Sequence, residues 1–368
     1  MAGFALVSRP PPPSPVPRPV SRLWLVTGPV LVALVGSVVL IGVTRVPYRT
    51  LSPGGARSVE PLIEVAPKPG GPKVAPDRPD PDLLYVTVSV RDPRGFEALL
   101  GVLDDRVEVV PSKPLLGTQS PAEDRALNLQ LMADSQDKAR TVALERLGYP
   151  VTINHDGAFV EDVDPSFAVS KVLKPGSTVV GADARAVATA DDLVVAIRAH
   201  RPGDRIALSV RPLGERRAVK VTSVLGSQPA DPKVATLGVS VSDAATFTYP
   251  VDIAIDTGKV GGPSAGLAFT LAILDRLTPG DLLGQQRVAV TGTIELDGSI
   301  GPVGGVDHKA RAAIAQGAKL FIVPPDEYAG ARQAAGSKLQ VRKAATLDEA
   351  LKVLREFGGD PLPAAKAP

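Results

Sequence analysis

The chain has 368 residues, enough for two or three domains with substantial cores. Lysine and arginine number 41 against 39 acids, with no basic cluster, which excludes a nucleic-acid binder resting on an electrostatic footprint. Without cysteine there is no disulfide, thiolate zinc site or cysteine nucleophile, and three scattered histidines (His155, His200, His308) form no H-E-x-x-H, so neither metal nor cofactor is expected.

Residues 1–22 carry no acid and hold seven prolines between Pro10 and Pro19, the composition of an extended basic tail. Residues 23–44, LWLVTGPVLVALVGSVVLIGVT, follow without a charge. As a helix this stretch reaches about 33 Å, enough for a hydrocarbon core of about 30 Å. It reads as a retained transmembrane anchor. The alternative is a secretory signal peptide, against which stand its length and the lack of an A-x-A-like site in VTRVPYRT. Three arginines on each side (Arg9, Arg18, Arg22; Arg45, Arg49, Arg57) leave charge bias nearly silent on orientation. The expected arrangement is a single pass through the cell membrane with the soluble part outside the cytoplasm.

Residues 45–150 read as a juxtamembrane α/β region. Ser58–Val65 is a candidate strand, 66–82 a proline-rich linker, and Leu84–Val90 a strand with period-two alternation. Ser120-Pro121-Ala122-Glu123 is a capping box opening a helix to about Leu147, stopped by Gly148. No obvious chemistry lies here.

Residues 151–225 read as a compact β-rich module. Strands are expected at 158–163, 178–181, 205–211 and 218–224, with a helix over 192–199 capped by Asp191. Element by element, the stretch from Asp162 to Val224 resembles the PDZ domain of bacterial membrane-associated proteases. That resemblance implies capture of an extended peptide at a sheet edge, often by its free carboxylate. Two departures stand out. The family's L-K-x-G-D turn is Leu173-Lys174-Pro175-Gly176-Ser177 here, and the nearest candidate for a glycine-rich carboxylate loop is Leu147-Gly148-Tyr149. A module serving only as a spacer is the alternative.

The chemistry is concentrated in residues 226–360, ahead of a short tail at 361–368. Val251–Ile255 reads as a strand, and Leu267–Leu277 as an apolar, buried helix. Between them Gly261-Gly262-Pro263-Ser264-Ala265-Gly266 puts a serine where backbone amides, those of Gly262 and Ala265 among them, can receive an oxyanion. A plain helix cap is the alternative for Ser264. Further on, Val288–Thr291 is a strand, and Gly304-Gly305-Val306-Asp307-His308-Lys309 leads into an alanine-rich helix and a buried strand, Leu320–Val323. A lysine can serve a serine as general base once burial lowers its pKa, and Ile300, Val303 and Val306 supply apolar surroundings.

G-P-S-A-G at 262–266, V-T-G-T at 290–293 and P-V-G-G-V-D-H-K at 302–309 together resemble the catalytic core of the Lon protease family, over residues 238–357. The resemblance implies Ser264 as nucleophile, Lys309 as its base and Thr291 as the hydroxyl that orients the lysine. The residue before G-P-S-A-G, often acidic in the family, is Gly261 here. The glutamate after T-G is Thr293, and K-E-K reads Asp307-His308-Lys309. His308 reads as a surface or hydrogen-bonded histidine. The order of anchor, PDZ-like module and Lon-like domain resembles the membrane-anchored PDZ–Lon-like proteins of bacteria. There is no G-x-x-x-x-G-K-[ST] phosphate loop. The expected protein is thus a multidomain α/β (α+β) chain, an ATP-independent serine endopeptidase acting on unfolded or C-terminally exposed peptides. A ring-shaped homo-oligomer is implied by the resemblance. The alternatives are a catalytically silent peptide-binding scaffold, or an enzyme that processes only its own linker.

Overall fold

A computed structural model describes residues 22–66, 68, 72, 83–112 and 119–363. The basic tail, most of the proline-rich linker and the last five residues lie outside this range. The first helix, α1, runs from Arg22 to Val43. Among the described residues no helix is long and apolar enough to cross a membrane, so the span expected at 23–44 is not supported. The side chains at 22–26, 28, 38 and 41 of α1 are outside the described residues, so that statement covers only part of its apolar length.

After α1 come β1 (Tyr48–Ser58), β2 (Ile63–Ala66), β3 (Leu83–Arg91), α2 (Gly95–Val102), β4 (Glu108–Pro111) and α3 (Pro121–Arg146). The single strand expected at 58–65 is split by a 3-10 turn at Glu60–Leu62, where Pro61 cannot donate to a ladder. The capping box of α3 forms as its sequence dictates. Ser120 Oγ accepts from the Glu123 amide at 3.3 Å, and Glu123 accepts from the Ser120 amide at 2.8 Å.

The β-rich module follows, with β5 (Thr152–Val163), β6 (Thr178–Ala182), β7 (Arg185–Ala186), α4 (Ala190–Arg198), β8 (Arg205–Arg211), β9 (Val219–Val224), β10 (Gly226–Gln228), β11 (Asp231–Thr236) and β12 (Val239–Thr248). Its sheet is ordered β12-β5-β6-β8-β9, and β12 pairs with β5 along its whole length. Leu225, Ala235 and Leu237 sit in the same core as Val160, Leu193 and Ile206. Pairing and packing thus continue across the boundary expected at 225/226, since β12 lies along β5 and Leu225, Ala235 and Leu237 share one core. Thr189 rather than Asp191 caps α4: its side chain accepts from the Asp192 amide, two residues earlier than the sequence suggests.

The chain then makes β13 (Asp252–Ile255), α5 (Gly266–Leu277), β14 (Val288–Val290), α6 (Val306–Ala315), β15 (Leu320–Val323), α7 (Tyr328–Ala335), β16 (Gln340–Lys343) and α8 (Leu347–Glu356). A six-stranded sheet, β16-β15-β14-β3-β1-β4, joins these C-terminal strands to strands 200 residues earlier. The β14–β15, β15–β16 and β14–β3 pairs are parallel, whereas β3–β1 and β1–β4 are antiparallel. Parallel strands are covered on both faces, and here alternate residues point into two cores. Val288, Val290, Leu320 and Ile322 join α3, α5 and α8 on one face. Ala289, Phe321 and Val323 join α6 and α7 on the other. Residues 45–150 thus complete the sheet of the C-terminal unit rather than standing apart from it.

Phe269 on α5 is fully buried and tilted against Tyr85 of β3, with ring centroids 6.4 Å apart. It links the N- and C-terminal contributions to one core. Phe269→Ala is expected to destabilise the fold by about 3–5 kcal/mol, read as a lowered denaturant midpoint.

Candidate active site

The site lies beyond the carboxyl ends of the parallel strands, where open α/β sheets usually hold their ligands. β14 ends at Val290, and the next residue, Thr291, is fully buried. Its amide donates to the Ile322 carbonyl of β15 at 3.0 Å, fixing it to the sheet. Its hydroxyl donates to the Ser264 carbonyl at 3.2 Å, and the Gly292 amide reaches the same carbonyl at 3.0 Å. The serine turn is therefore held to the end of β14 by two hydrogen bonds.

A second support comes from α3. Asn128 accepts from the Gly262 amide at 2.7 Å through its carbonyl, and the Ser135 hydroxyl donates to the Pro263 carbonyl at 2.9 Å. Such close approach explains the second glycine of G-P-S-A-G. A Cβ on Gly266 would lie 2.8 Å from Ser135 Oγ and 2.9 Å from Ile294. Gly261 is equally tight, its Cβ position 2.9 Å from that of Asn128, so the acid common there in the Lon family has no room. Asp124, one turn before Asn128, takes both guanidinium NH₂ groups of buried Arg49 at 3.2 Å, which fastens β1 to the helix.

Lys309 stands in the first turn of α6, only 3% exposed. Its Nζ donates to Thr291 Oγ1 at 3.1 Å. Desolvation lowers its pKa from the ordinary 10.5 to about 8, and the Glu327 carboxylate opposes that shift. Gly305 precedes the helix in the left-handed region, φ +63°, and its Cβ position lies 2.8 Å from Val88. A side chain there would push the lysine-bearing helix off β3.

Ser264 and Lys309 line the same cleft of about 760 Å³, together with Tyr85, Met132, Thr293 and Arg49. No hydrogen bond joins Ser264 directly to Lys309 among the described residues; Thr291 bridges them. Catalytic contacts in unliganded sites are commonly this loose. Of the two amides expected to receive an oxyanion, that of Gly262 is committed to Asn128. The amides of Ala265 and of Ser264 itself donate to no backbone carbonyl among the described residues. His308 is neither a surface nor a satisfied histidine. It is 2% exposed, both ring nitrogens lack a hydrogen-bond partner among the described residues, and Glu108 Oε2 stands 3.6 Å from Nε2. No group of three or more His, Cys, Asp or Glu able to hold a metal occurs among the described residues.

Sequence reasoning passed over Asn128, Ser135 and Glu327. Asn128 acts through its main-chain carbonyl and Ser135 through an ordinary hydroxyl, both on α3 and 128 or more residues from the loop they hold. Glu327 accepts from the Val303 amide at 2.9 Å and so ties the loop before Lys309 to the start of α7. Glu327→Gln removes the charge that raises the lysine pKa. The rising limb of any Lys309-dependent rate should then move to lower pH, as read in a pH–rate profile.

The module carries a second, smaller cavity of about 160 Å³ between α4 and the start of β12, walled by Leu193, Ile197, Leu237, Val239 and Val241. Leu147-Gly148-Tyr149 lies elsewhere: Leu147 ends α3 and packs into the core of the C-terminal unit.

Residues 239–355 match the Lon protease (S16) C-terminal proteolytic domain. The Lon protease of Trichlorobacter lovleyi is 34% identical over 109 residues, 29% of this chain and 13% of that protein. Lon protease 2 of Bacillus subtilis is 37% identical over 90 residues, 24% of this chain and 15% of that protein. The chain thus spans a small part of the length of these relatives. Among solved structures, the PDZ domain of the SdrC-like protein of Listeria monocytogenes aligns with 24% of this chain and 92% of its own, at 16% identity and a TM-score of 0.22.

Proposed function

We propose that the chain is a membrane-anchored serine endopeptidase that hydrolyses peptide bonds without ATP, with Ser264 as nucleophile and Lys309 as general base. The observation that carries this reading is a buried lysine with a lowered pKa, hydrogen-bonded to a threonine that also holds the serine turn in the same cleft. A solvated lysine would be protonated and useless as a base; burial makes the neutral amine accessible near pH 8.

In this mechanism neutral Lys309 takes the proton of Ser264 as Oγ attacks the substrate carbonyl. The free amides of Ser264 and Ala265 receive the developing oxyanion. The ammonium of Lys309 returns its proton to the leaving amine, leaving an ester on Ser264. Water then attacks that ester with Lys309 again as base, and Ser264 is regenerated. Thr291 keeps Nζ on the serine side of the cleft throughout.

The groove between α4 and β12 supports peptide capture by the module. β12 ends its sheet, so its outer edge has no strand partner among the described residues, and strand addition there would lay a peptide beside Leu193 and Ile197. The module also touches α3, through Lys174 on Glu123 and Tyr249 on Asp137. The exposed apolar side chains of α1, from Val30 to Val43, support a bilayer as its environment. The test is cleavage of an unfolded casein in nucleotide-free buffer beside a tightly folded control protein. Cleavage of casein alone is the expected result. Failure to cleave either, with peptide binding retained, would instead identify a scaffold.

A further inference from the structure

α2 is a short helix with an unusual division of surface. Phe96, Leu99, Leu100 and Leu103 follow at positions i, i+3, i+4 and i+7, one stripe, and each is at least half exposed. The opposite face is glycine. Gly101 lets the helix lie on the sheet, with its Cβ position 3.0 Å from Val109 and 3.1 Å from Val107. An apolar stripe of this size turned outward is unusual on a soluble surface.

Its position relative to α1 is what names the occupant. The Gly95 amide, first in α2, donates to the Thr44 carbonyl just past the end of α1 at 3.0 Å. The Val46 amide reaches the Pro93 carbonyl, Arg45 bridges Arg94, and the Cβ position of Gly42 lies 4.0 Å from Phe96. The stripe therefore starts at the height where α1 ends. Arg45, Arg91 and Arg94 are exposed at that junction, with Asp92 and Glu97 beside them. Apolar side chains at a membrane surface with arginines beside them match an anionic bilayer, whose headgroups attract cations while its acyl boundary takes the stripe.

We infer that α2 is an interfacial helix that beds Phe96, Leu99, Leu100 and Leu103 into the anionic lipid surface around α1. This rests on the reading of α1 as a bilayer helix. In this arrangement the rigid sheet, to which α2 is packed through β1 and β4, is held at a set height over the membrane. The catalytic unit then does not swing freely on a single tether.

The absence of cysteine makes the test direct. Full-length Leu99→Cys, Leu103→Cys and, as a control on the far module, Arg216→Cys carry a single polarity-sensitive fluorophore each. They are reconstituted into vesicles of phosphatidylcholine containing about a third phosphatidylglycerol. The exposed positions leave the fold unaffected, which circular dichroism checks. Labels at 99 and 103 are expected to be shielded from aqueous iodide by at least about fivefold and quenched by a nitroxide lipid at headgroup depth, with the label at 216 unchanged. Vesicle flotation with labels at 99 and 103 as open to iodide as that at 216 overturns the inference but not the anchor. Failure to float overturns both. Shielding without nitroxide quenching, accompanied by energy transfer between labels, assigns the stripe to a second copy of the chain and overturns the lipid surface.

Discussion

Ser264→Ala is expected to abolish peptide hydrolysis, by on the order of 10⁵-fold or more, while the fold is retained. The turn that carries Ser264 is held through backbone groups: its carbonyl accepts from Thr291 and Gly292, and its neighbours are held by Asn128 and Ser135. The hydroxyl supports none of these bonds, so its loss removes the proposed nucleophile and little else. Casein cleavage and thermal unfolding measured on the same sample check both halves. Residual turnover above about a hundredth of wild type would place the nucleophile elsewhere.

The second large effect belongs to Lys309, where activity and stability should move in opposite directions. With the pKa near 8, the neutral fraction and hence kcat/KM should rise with pH through that value. Lys309→Arg keeps a charge that never deprotonates and should lose roughly 10⁴-fold in rate with no alkaline recovery. Stability has the same sign of pH dependence, and only the substitution separates the two. The folded-state pKa lies below the unfolded one, so the unfolded chain binds more protons between about 8 and 10.5, and stability rises with pH across that window. Below pH 8 the folded protein carries the whole cost of a buried ammonium. Lys309→Met, similar in volume but uncharged, should therefore be inactive yet more stable at neutral pH by roughly 2–3 kcal/mol, less the bond to Thr291. Chemical denaturation at pH 7 and pH 10 checks it, and the gain should shrink at the higher value.

How far this site was readable from residues alone follows from how local its parts are. Ser264, Thr291 and Lys309 each sit in a short run whose glycines announce a turn or close approach, and the structure puts all three together. The apolar helix α5 and the strand β15, buried along its whole length, were likewise plain, since both show in composition. What was hidden is what depends on distant pairing. β1 contains Pro53, Gly54 and Gly55, residues that argue against a strand, and it forms because β3 and β4 flank it. β12, where the Lon-domain match begins, pairs along its whole length with β5 of the module, a long-range pairing that no local pattern shows. Ser135 and Asn128 follow no motif at all; only the packing of α3 on α5 reveals that they hold the serine loop. His308 shows the limit in the other direction. Its sequence context suggests a surface or hydrogen-bonded residue, yet α6 buries it near Glu108 of β4 with neither ring nitrogen hydrogen-bonded among the described residues.

In the proposed mechanism buried Lys309, in its neutral form, activates Ser264. The measurement that tests it most directly is covalent labelling by a fluorophosphonate, with the modified residue mapped by mass spectrometry between pH 6 and 10. One adduct is expected, on Ser264, forming at a rate that climbs through pH about 8 in the wild type and is nearly absent in Lys309→Arg. Labelling of another residue, or labelling of Ser264 at a rate indifferent to Lys309, would contradict it.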